Sequence, residues 1–290
     1  MKYQGDKLNP SQFNRGQIKY FLILIPLAIV YALPIIYIFS TAFKPLTELF
    51  EYPPRFFVRK PTTENFRELI SVLSSSTVPF GRYLINSVLT TIVVTVANVI
   101  ISLYAGYTLA KKKFRYKKVI NTINTMAMMF VPVAVTIPRF LVIRELGLLN
   151  TFFALVLPLI AMPVGLFLLV QYMSTVPDVL IEAARIDGAS ENYILFRIVA
   201  PLVKPAICTM SILAFQNAWN NTELSNLFVS NDWLRTFPYY ISTLASNQGN
   251  TVAGAGIVAA ATLVLFIPNL IVFILMQNNV MNTMAHSGIK

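Results

Sequence analysis

The feature that most constrains this chain is a series of six apolar stretches, each long enough to cross a bilayer. A hydrocarbon core of about 30 Å needs roughly 20 helical residues. Because 56% of the residues are hydrophobic and only 12% are charged, the chain is too apolar for a water-soluble globule. The predicted spans are residues 20–43, 85–110, 119–142, 151–173, 206–228 and 251–276. We therefore predict an all-α, polytopic membrane protein.

Two of the predicted spans contain interruptions. Pro132 and Pro138 lie in the third span. The polar residues of the fifth span are Gln216, Asn217, Asn220, Asn221 and Glu223. Neighbouring helices can bond the backbone groups that such interruptions free, so we predict that both remain spans with kinks or local unwinding.

The basic residues predict which side of the membrane each loop occupies. A cluster of six lies between the second and third spans: Lys111, Lys112, Lys113, Arg115, Lys117 and Lys118. This loop is predicted to be cytoplasmic, and six crossings then place both termini inside. In loop 44–82 the basic residues are spread out among glutamates, so this loop is predicted to be outside. The net charge of +11 then reflects topology and attraction to anionic lipid, with no role for nucleic acid.

The sequence offers few groups for catalysis or metal binding. Cys208 and His286 are the single cysteine and histidine, so we predict no internal disulfide and no metal site. The chain has no Gly-x-x-x-x-Gly-Lys-Ser/Thr loop to bind phosphates, so we predict neither an ATPase site nor a cofactor in this chain. The first span follows polar residues 1–19 without a small-residue cleavage site and is expected to be a retained anchor. One domain is predicted over residues 1–290, with cytoplasmic tails 1–19 and 277–290.

A polar segment, residues 177–205, separates the fourth and fifth spans; we call it the Glu-Ala-Ala segment. It is predicted to form two short helices joined by a hinge. Thr175 and Asp178 have the spacing of a capping box at the start of the first helix. Gly188 can take the left-handed conformation that ends a helix, and Ser190 can cap the second one. Small alanines flanked by charged residues suit insertion into a cleft on another protein.

Six residues of this segment lie at fixed offsets: Glu182, Ala183, Ala184, Gly188, Ile198 and Pro201. At these residues the chain resembles the inner-membrane permease subunits of bacterial ABC importers. Their cytoplasmic signature reads Glu-Ala-Ala, three residues, Gly, nine residues, Ile, one residue, Leu-Pro. Ala200 replaces the leucine here, which weakens one packing contact.

Shorter fragments extend the resemblance over nearly the whole chain. In chain order they are Ser40, Phe43 and Lys44 at the end of the first span, Asn65-Phe66, residues 83–87, residues 105–110 followed by the basic loop and Phe114, residues 146–151, and Trp219-Asn220. In this order they resemble the maltose-type carbohydrate permeases, and specifically the smaller of the two permeases in such systems.

This resemblance implies an ATP-driven importer of several chains. A second homologous permease would form a heterodimer with this chain, and an extracellular solute-binding protein would deliver a sugar. Two ATP-binding subunits on the cytoplasmic side would bind ATP and Mg. The residues expected to couple to them are Glu182, Ala183, Ala184, Asp187, Gly188, Ile198 and Pro201. Closure of the ATPases would move this segment and, through spans four and five, switch the cavity between its two openings.

Polar residues at membrane depth are candidates for the substrate path. In the fifth span Gln216, Asn220 and Glu223 recur at helical spacing, beside Asn217 and Trp219. An indole face beside amides suits a neutral polyhydroxylated ligand. The same groups can instead bond helices of the two permeases together, and Glu223 suits an entrance or partner contact better than a ligand contact.

A second polar stripe lies on one face of the second span: Thr91, Thr95, Asn98 and Ser102. Thr95 and Asn98 are its candidates for lining the path. Small hydroxyl residues are also the usual close-packing surface of membrane helices, and we favour this second interpretation.

Three further alternatives stay open. An ion-gradient-driven secondary transporter would show inverted repeats and paired intramembrane carboxylates, which are not evident. A membrane enzyme would need a cluster of catalytic groups. An ABC permease for a non-sugar solute is equally compatible with the motif, because the sequence does not identify the solute. The C-terminal residues 282–290 resemble a tail that reaches the ATPase interface. A frayed terminus is the alternative, and His286 and Lys290 are the residues to probe.

Overall fold

The computed structural model of the chain describes residues 18–74, 78–248 and 251–287, with side chains over 18–72, 78–247 and 251–277. Within these ranges the chain is helical and has no β-strand, which confirms the predicted all-α class. The α-helices are α1 (Ile18–Ala42), α2 (Leu46–Leu49), α3 (Glu64–Ser74), α4 (Phe80–Lys111), α5 (Lys117–Ala127), α6 (Thr136–Glu145), α7 (Phe152–Ile160), α8 (Pro163–Ser174), α9 (Asp178–Ile186), α10 (Glu191–Tyr193), α11 (Ala200–Leu202), α12 (Lys204–Trp219), α13 (Glu223–Phe228), α14 (Phe237–Gln248) and α15 (Val252–Ser287). Two 3₁₀-helices (Pro132–Val135 and Asp232–Leu234) and a π-helix (Ile194–Val199) complete the set.

Three helices are long and apolar enough to cross a membrane alone. α1 has 25 residues, α4 has 32, and the Val252–Gln277 part of α15 has 26. They correspond to the first, second and sixth predicted spans. Up to six spans result if each bent helix pair counts as one span, so the chain is a polytopic membrane protein.

The described part of the chain contains three bent helix pairs, and two of their breaks lie directly before a proline. Lys117–Ala127 meets Pro132–Glu145 at 108°, α7 meets α8 at 41°, and Glu191–Leu202 meets α12 at 86°. The first break immediately precedes Pro132, which has no N–H to continue a helix. The break between α7 and α8 immediately precedes Pro163 in the same way. The sequence analysis predicted interruptions in the third and fifth spans, and it did not anticipate the bend within the fourth.

The fifth predicted span, residues 206–228, is two helices. α12 ends at Trp219, and α13 starts at Glu223. The side-chain oxygen of Asn221 accepts from the Leu224 N–H at 3.0 Å, which favours a new helical start. This break agrees with the kink or local unwinding predicted for the fifth span. Glu223 therefore lies on a different helix from Gln216, so the two residues do not share one helical face.

Contacts divide the chain into two compact units. The first contains Met1–Leu69 and Gln248–Leu263, and the second contains Ile70–Asn247 and Val264–Lys290. In the first unit the Asn65 amide donates to the carbonyls of Ala42 and Lys44 at 2.9 and 2.7 Å. A Cβ on Gly256 would lie 2.5 Å from Asn65 Oδ1, so only glycine fits against this amide. The single domain over residues 1–290 stays a prediction.

In the second unit α4 packs against α7, α8 and α12. Small residues allow this close approach: a Cβ on Gly106 would lie 3.3 Å from Leu169, and one on Gly165 would lie 2.9 Å from Met210. One buried cluster lies beneath the Glu-Ala-Ala segment and includes Leu103, Tyr107, Leu169, Met173, Ile181, Ala184, Ile194, Leu195, Val199 and Met210. This segment is therefore fixed onto the helices by buried apolar contacts.

Candidate functional site

The Glu-Ala-Ala segment forms two helices joined at Gly188, which confirms that feature of the prediction. Gly188 has a φ of +79°, a conformation that residues with a side chain rarely adopt. The Ala189 N–H then donates to the Ala184 carbonyl at 2.9 Å and closes α9. Ser190 caps the next helix, because its Oγ accepts from the Tyr193 N–H at 3.3 Å.

The predicted capping box at the start of α9 is not formed. Pro177 occupies the cap position, and no side chain bonds the first N–H groups. The Thr175 hydroxyl donates to the Tyr172 carbonyl at 2.8 Å instead. The Asp178 carboxylate accepts from Lys111 Nζ at 2.8 Å. Lys111 on α4 therefore binds the Asp178 carboxylate, which the capping box would need for a backbone N–H.

The second helix of the segment widens before Pro201. Residues Ile194–Val199 form a π-helix between α10 and α11. Pro201 cannot donate a backbone hydrogen bond, and its ring crowds the carbonyl four residues earlier, so a wider turn relieves the conflict. Ile198 is half-buried within this π-helix, whereas Pro201 is exposed. These two motif residues therefore shape the path of the chain into α12.

α9 has one buried face and one exposed face. Ile181 and Ala184 are 2% and 9% exposed and pack in the buried cluster beneath the segment. Ile186, by contrast, is 87% exposed. The other exposed residues of α9 and the hinge include Val179, Glu182, Ala183 and Asp187. Large apolar side chains exposed beside charges are typical of a protein contact surface.

Glu191 joins three elements through one carboxylate. Its Oε1 accepts from Lys112 Nζ and, at 3.2 Å, from Arg185 Nε. Its Oε2 accepts from the Tyr107 hydroxyl at 2.8 Å. Tyr107 lies on α4, Lys112 directly follows α4, and Arg185 lies on α9. We call Glu191, Lys112, Arg185 and Tyr107 the Glu191 junction.

The Glu191 carboxylate stays ionised over physiological pH. The hydrogen bond from Lys112, reinforced by those from Tyr107 and Arg185, lowers the pKa of Glu191 to about 2. Lys111 likewise lowers the pKa of Asp178. Because a carboxylate with a depressed pKa loses its bonds only as the pH falls through that pKa, Glu191 stays ionised until the pH approaches 2.

The sequence analysis did not select Glu191. Lys111 and Lys112 were used there only to orient the basic loop. Lys112 and Glu191 are 79 positions apart, and Lys111 and Asp178 are 67 apart, so no local spacing links them. Only the packing of α4 beside the Glu-Ala-Ala segment brings these charges together.

The polar residues at the end of α12 divide into exposed amides and a buried indole. Gln216, Asn217 and Asn220 are exposed. Trp219 is only 3% exposed, its indole N–H donates to the Leu265 carbonyl at 2.9 Å, and its ring stacks on Phe215. Trp219 therefore fastens α12 to α15 in this structure, while the amides beside it face outward from this subunit.

Two further contacts surround these amides. The Asn269 amide donates to Asn220 Oδ1 at 3.0 Å, a pairing that the sequence analysis missed because the residues are 49 positions apart. Glu223 accepts from the Thr136 hydroxyl at 2.9 Å and lies 3.6 Å from the Arg139 guanidinium. Glu223 therefore contacts α6 of the same chain.

The polar stripe of α4 is mostly buried. Thr91, Asn98 and Ser102 are 2%, 1% and 5% exposed, and Thr95 is half-buried. The Asn98 amide donates to the Leu159 carbonyl at 2.8 Å, close to the end of α7. In an apolar environment this bond satisfies a carbonyl at a helix end. The contacts of Asn98 are those of helix packing.

The predicted tails lie partly outside the described residues, and the metal prediction can be compared only with the described ones. Residues 1–17 and Lys290 lie outside them, as does the side chain of His286. In the described ranges no group of three or more His, Cys, Asp or Glu residues could hold a metal ion.

The comparisons with known proteins agree with this arrangement. The family model described as "Binding-protein-dependent transport system inner membrane component" matches residues 98–280. The sulfoquinovosyl glycerol transport system permease protein SmoH of Agrobacterium fabrum is 32% identical over 89% of this chain and 88% of that protein. The trehalose/maltose transport system permease protein MalG of Thermococcus litoralis is 33% identical over 80% of this chain and 82% of that protein.

A solved structure has the same fold. One chain of a bacterial ABC transporter involved in the import of the acidic polysaccharide alginate aligns with a TM-score of 0.76 at 22% identity, covering 92% of this chain and 98% of that one. A multi-span helical permease of the inner membrane is thus the class that these results define. The chain belongs to the family of binding-protein-dependent transport system inner membrane components. It is similar to permeases of carbohydrate ABC importers.

Proposed function

We propose that this chain is the smaller membrane subunit of an ATP-driven importer of a carbohydrate, and that its Glu-Ala-Ala segment couples it to a separate ATPase. One observation carries the proposal: α9 buries Ile181 and Ala184 against its own helices while it exposes Glu182, Ala183 and Ile186. A helix that is fixed on one side and exposes apolar and charged side chains on the other suits a groove on a partner protein.

Each motif residue has a distinct role in this proposal. Glu182, Ala183 and Asp187 contact the ATPase, and Ala184 packs beneath them. Gly188 holds the hinge, and Ile198 and Pro201 set the path into α12. Rigid movement of this segment by the closing ATPases would then switch the permease between its two openings.

The proposed orientation places the Glu-Ala-Ala segment and both termini in the cytoplasm. The basic loop that starts at Lys112 supports this, since positive residues favour the inner side. The 86° bend between Glu191–Leu202 and α12 supports a segment that turns away from the direction of the span.

The proposed substrate path uses the exposed amides of Gln216, Asn217 and Asn220. Amides pair with sugar hydroxyls. Trp219 is buried and bonded to α15, and it holds in place the end of α12 that carries these amides. Glu223, Thr95 and Asn98 remain candidates from the sequence. The contacts of Glu223 and Asn98 within this subunit favour helix packing.

The proposal requires partners that this chain does not provide. A second homologous permease completes the path, two ATP-binding subunits bind ATP and Mg, and an extracellular binding protein delivers the solute. The family description, which names a binding-protein-dependent system, supports the last partner. The carbohydrate systems named for SmoH and MalG support a sugar as the solute.

The test is uptake by the assembled importer in proteoliposomes, with ATP supplied on the cytoplasmic face. We expect accumulation of at least one labelled neutral oligosaccharide from a panel, dependent on ATP and insensitive to a protonophore. Labelled sn-glycerol 3-phosphate serves as the non-sugar probe. Uptake of that probe alone would redirect the proposal to a non-sugar solute, and uptake by this chain alone on an ion gradient would establish a secondary transporter.

A further inference from the structure

The structure connects the Glu-Ala-Ala segment to α4 at one end of that helix. Asp178, at the start of α9, pairs with Lys111, whose side chain is only 5% exposed. The Glu191 junction adds bonds from Lys112 and Tyr107, and the Tyr104 hydroxyl donates to Asn192 at 3.3 Å. Both helices of the segment are therefore bonded to the same end of α4.

The Glu191 junction also bridges the hinge. Arg185 lies before Gly188 and Glu191 lies after it, and their side chains are 3.2 Å apart. The Glu191 carboxylate accepts hydrogen bonds from Arg185, before the hinge, and from Tyr107 and Lys112 at the end of α4. One carboxylate therefore connects both sides of the hinge to α4. A movement of α9 thus acts on α4 directly as well as through the buried contacts.

The opposite end of α4 holds a second polar segment, residues 229–237. The Asn86 amide donates to the carbonyls of Trp233 and Arg235 at 2.8 and 3.0 Å. Ser87 Oγ accepts from the Phe237 N–H at 2.7 Å, and Arg82 Nε donates to the Trp233 carbonyl at 3.1 Å. These bonds fix the backbone of this segment to the first turns of α4.

α4 is the unbroken element between these two polar ends. It has 32 residues, which is roughly 48 Å of helix, and no proline interrupts it. The helices that pack beside α4 are interrupted: α7 and α8 meet at 41°, and α12 ends at Trp219. A continuous hydrogen-bonded helix transmits displacement along its axis better than helices joined by flexible turns.

We infer that α4 carries the movement of the Glu-Ala-Ala segment to residues 229–237, and that Glu191 is the positioning residue that attaches the segment to α4. The inference rests on the proposed function, since it assumes that an ATPase moves the segment. It changes the expected route, because spans four and five were expected to transmit that movement.

The test uses hydrogen–deuterium exchange on the complete importer in nanodiscs, without nucleotide and with ATP plus orthovanadate. In the native protein the exchange of the peptide covering residues 229–237 is expected to change with nucleotide. Glu191→Gln keeps the shape and removes the charge, and it is expected to reduce this change about three- to tenfold. Tyr107→Phe removes one donor and is expected to give a smaller reduction.

The control variant is Glu145→Gln, which removes an exposed carboxylate whose only ion pair among the described residues is with its neighbour Arg144. It is expected to leave the nucleotide response unchanged. Protection of α9 on assembly with the ATPase is expected in all variants, because the exposed face of α9 is intact. This second readout separates a positioning role from a general loss of structure.

The outcomes are distinguishable. A full nucleotide response of residues 229–237 in Glu191→Gln, or in Tyr107→Phe if the first variant does not assemble, would overturn the inference. A native protein whose residues 229–237 do not respond would overturn it as well. Absence of α9 protection in the native assembly would instead refute the proposed function.

Discussion

Replacing Gly188 with valine is expected to reduce ATP-driven uptake strongly while the chain still inserts into the membrane. A Cβ at this position meets no heavy atom within 4 Å, so the penalty is conformational and not steric crowding. A β-branched residue at a φ of +79° carries a strain of about 1–3 kcal/mol. Relaxation of that strain would rotate α9 relative to α10 and separate Arg185 from Glu191. We expect uptake per inserted molecule to fall by roughly tenfold or more.

Two variants serve as controls for this prediction. Gly147 also has a positive φ, +66°, with open space around its Cβ position. Gly147→Val therefore imposes similar backbone strain outside the Glu-Ala-Ala segment, and it is expected to retain coupling. Gly188→Asn is expected to retain most activity, because asparagine tolerates the left-handed region. Normal uptake by an inserted Gly188→Val protein would contradict the proposed hinge.

Enlarging Ala183 to leucine is expected to weaken the binding of the ATP-binding subunits. Ala183 is exposed on α9, and leucine is a good helix former, so the permease itself should fold normally. In a fitted groove the added atoms would cost about 1–3 kcal/mol, which weakens binding roughly 5- to 150-fold. Titration of the ATP-binding subunits onto the permease pair in nanodiscs measures this change.

The controls for Ala183 separate size from position. Ala183→Ser adds a single hydroxyl group, and this variant is expected to bind the ATP-binding subunits nearly normally. Ser246→Leu adds the same exposed side chain on α14, outside the Glu-Ala-Ala segment, and is expected to have no effect. Equal affinity for the native and Ala183→Leu proteins would mean that this face of α9 does not enter a partner groove.

Features that depend on local sequence were predictable. The length of an apolar run identified α1, α4 and α15, because only helices of that length satisfy their backbone in lipid. Gly188 and Ser190 are helix-end residues whose conformations follow from their own chemistry. The bend before Pro163 could also have been found, since proline within a predicted span marks a break.

Features that depend on packing between distant residues were not predictable. The capping box at Asp178 failed because Lys111, on another helix, binds that carboxylate. Trp219 suited a sugar contact by its chemistry, but the Leu265 carbonyl on α15 binds its indole N–H. Glu191 showed no signal of its own, because its partners lie on α9 and at the distant end of α4.

The most direct test of the central proposal is the side of the membrane on which α9 lies. Ile186 is 87% exposed, so a cysteine there is accessible to reagent, and Cys208→Ser removes the single native thiol. A membrane-impermeant maleimide is applied to sealed right-side-out and inside-out vesicles that carry Ile186→Cys. The proposal predicts labelling only in inside-out vesicles, where the cytoplasmic face is open. Labelling in right-side-out vesicles would place α9 outside, out of reach of any ATPase, and would contradict the account.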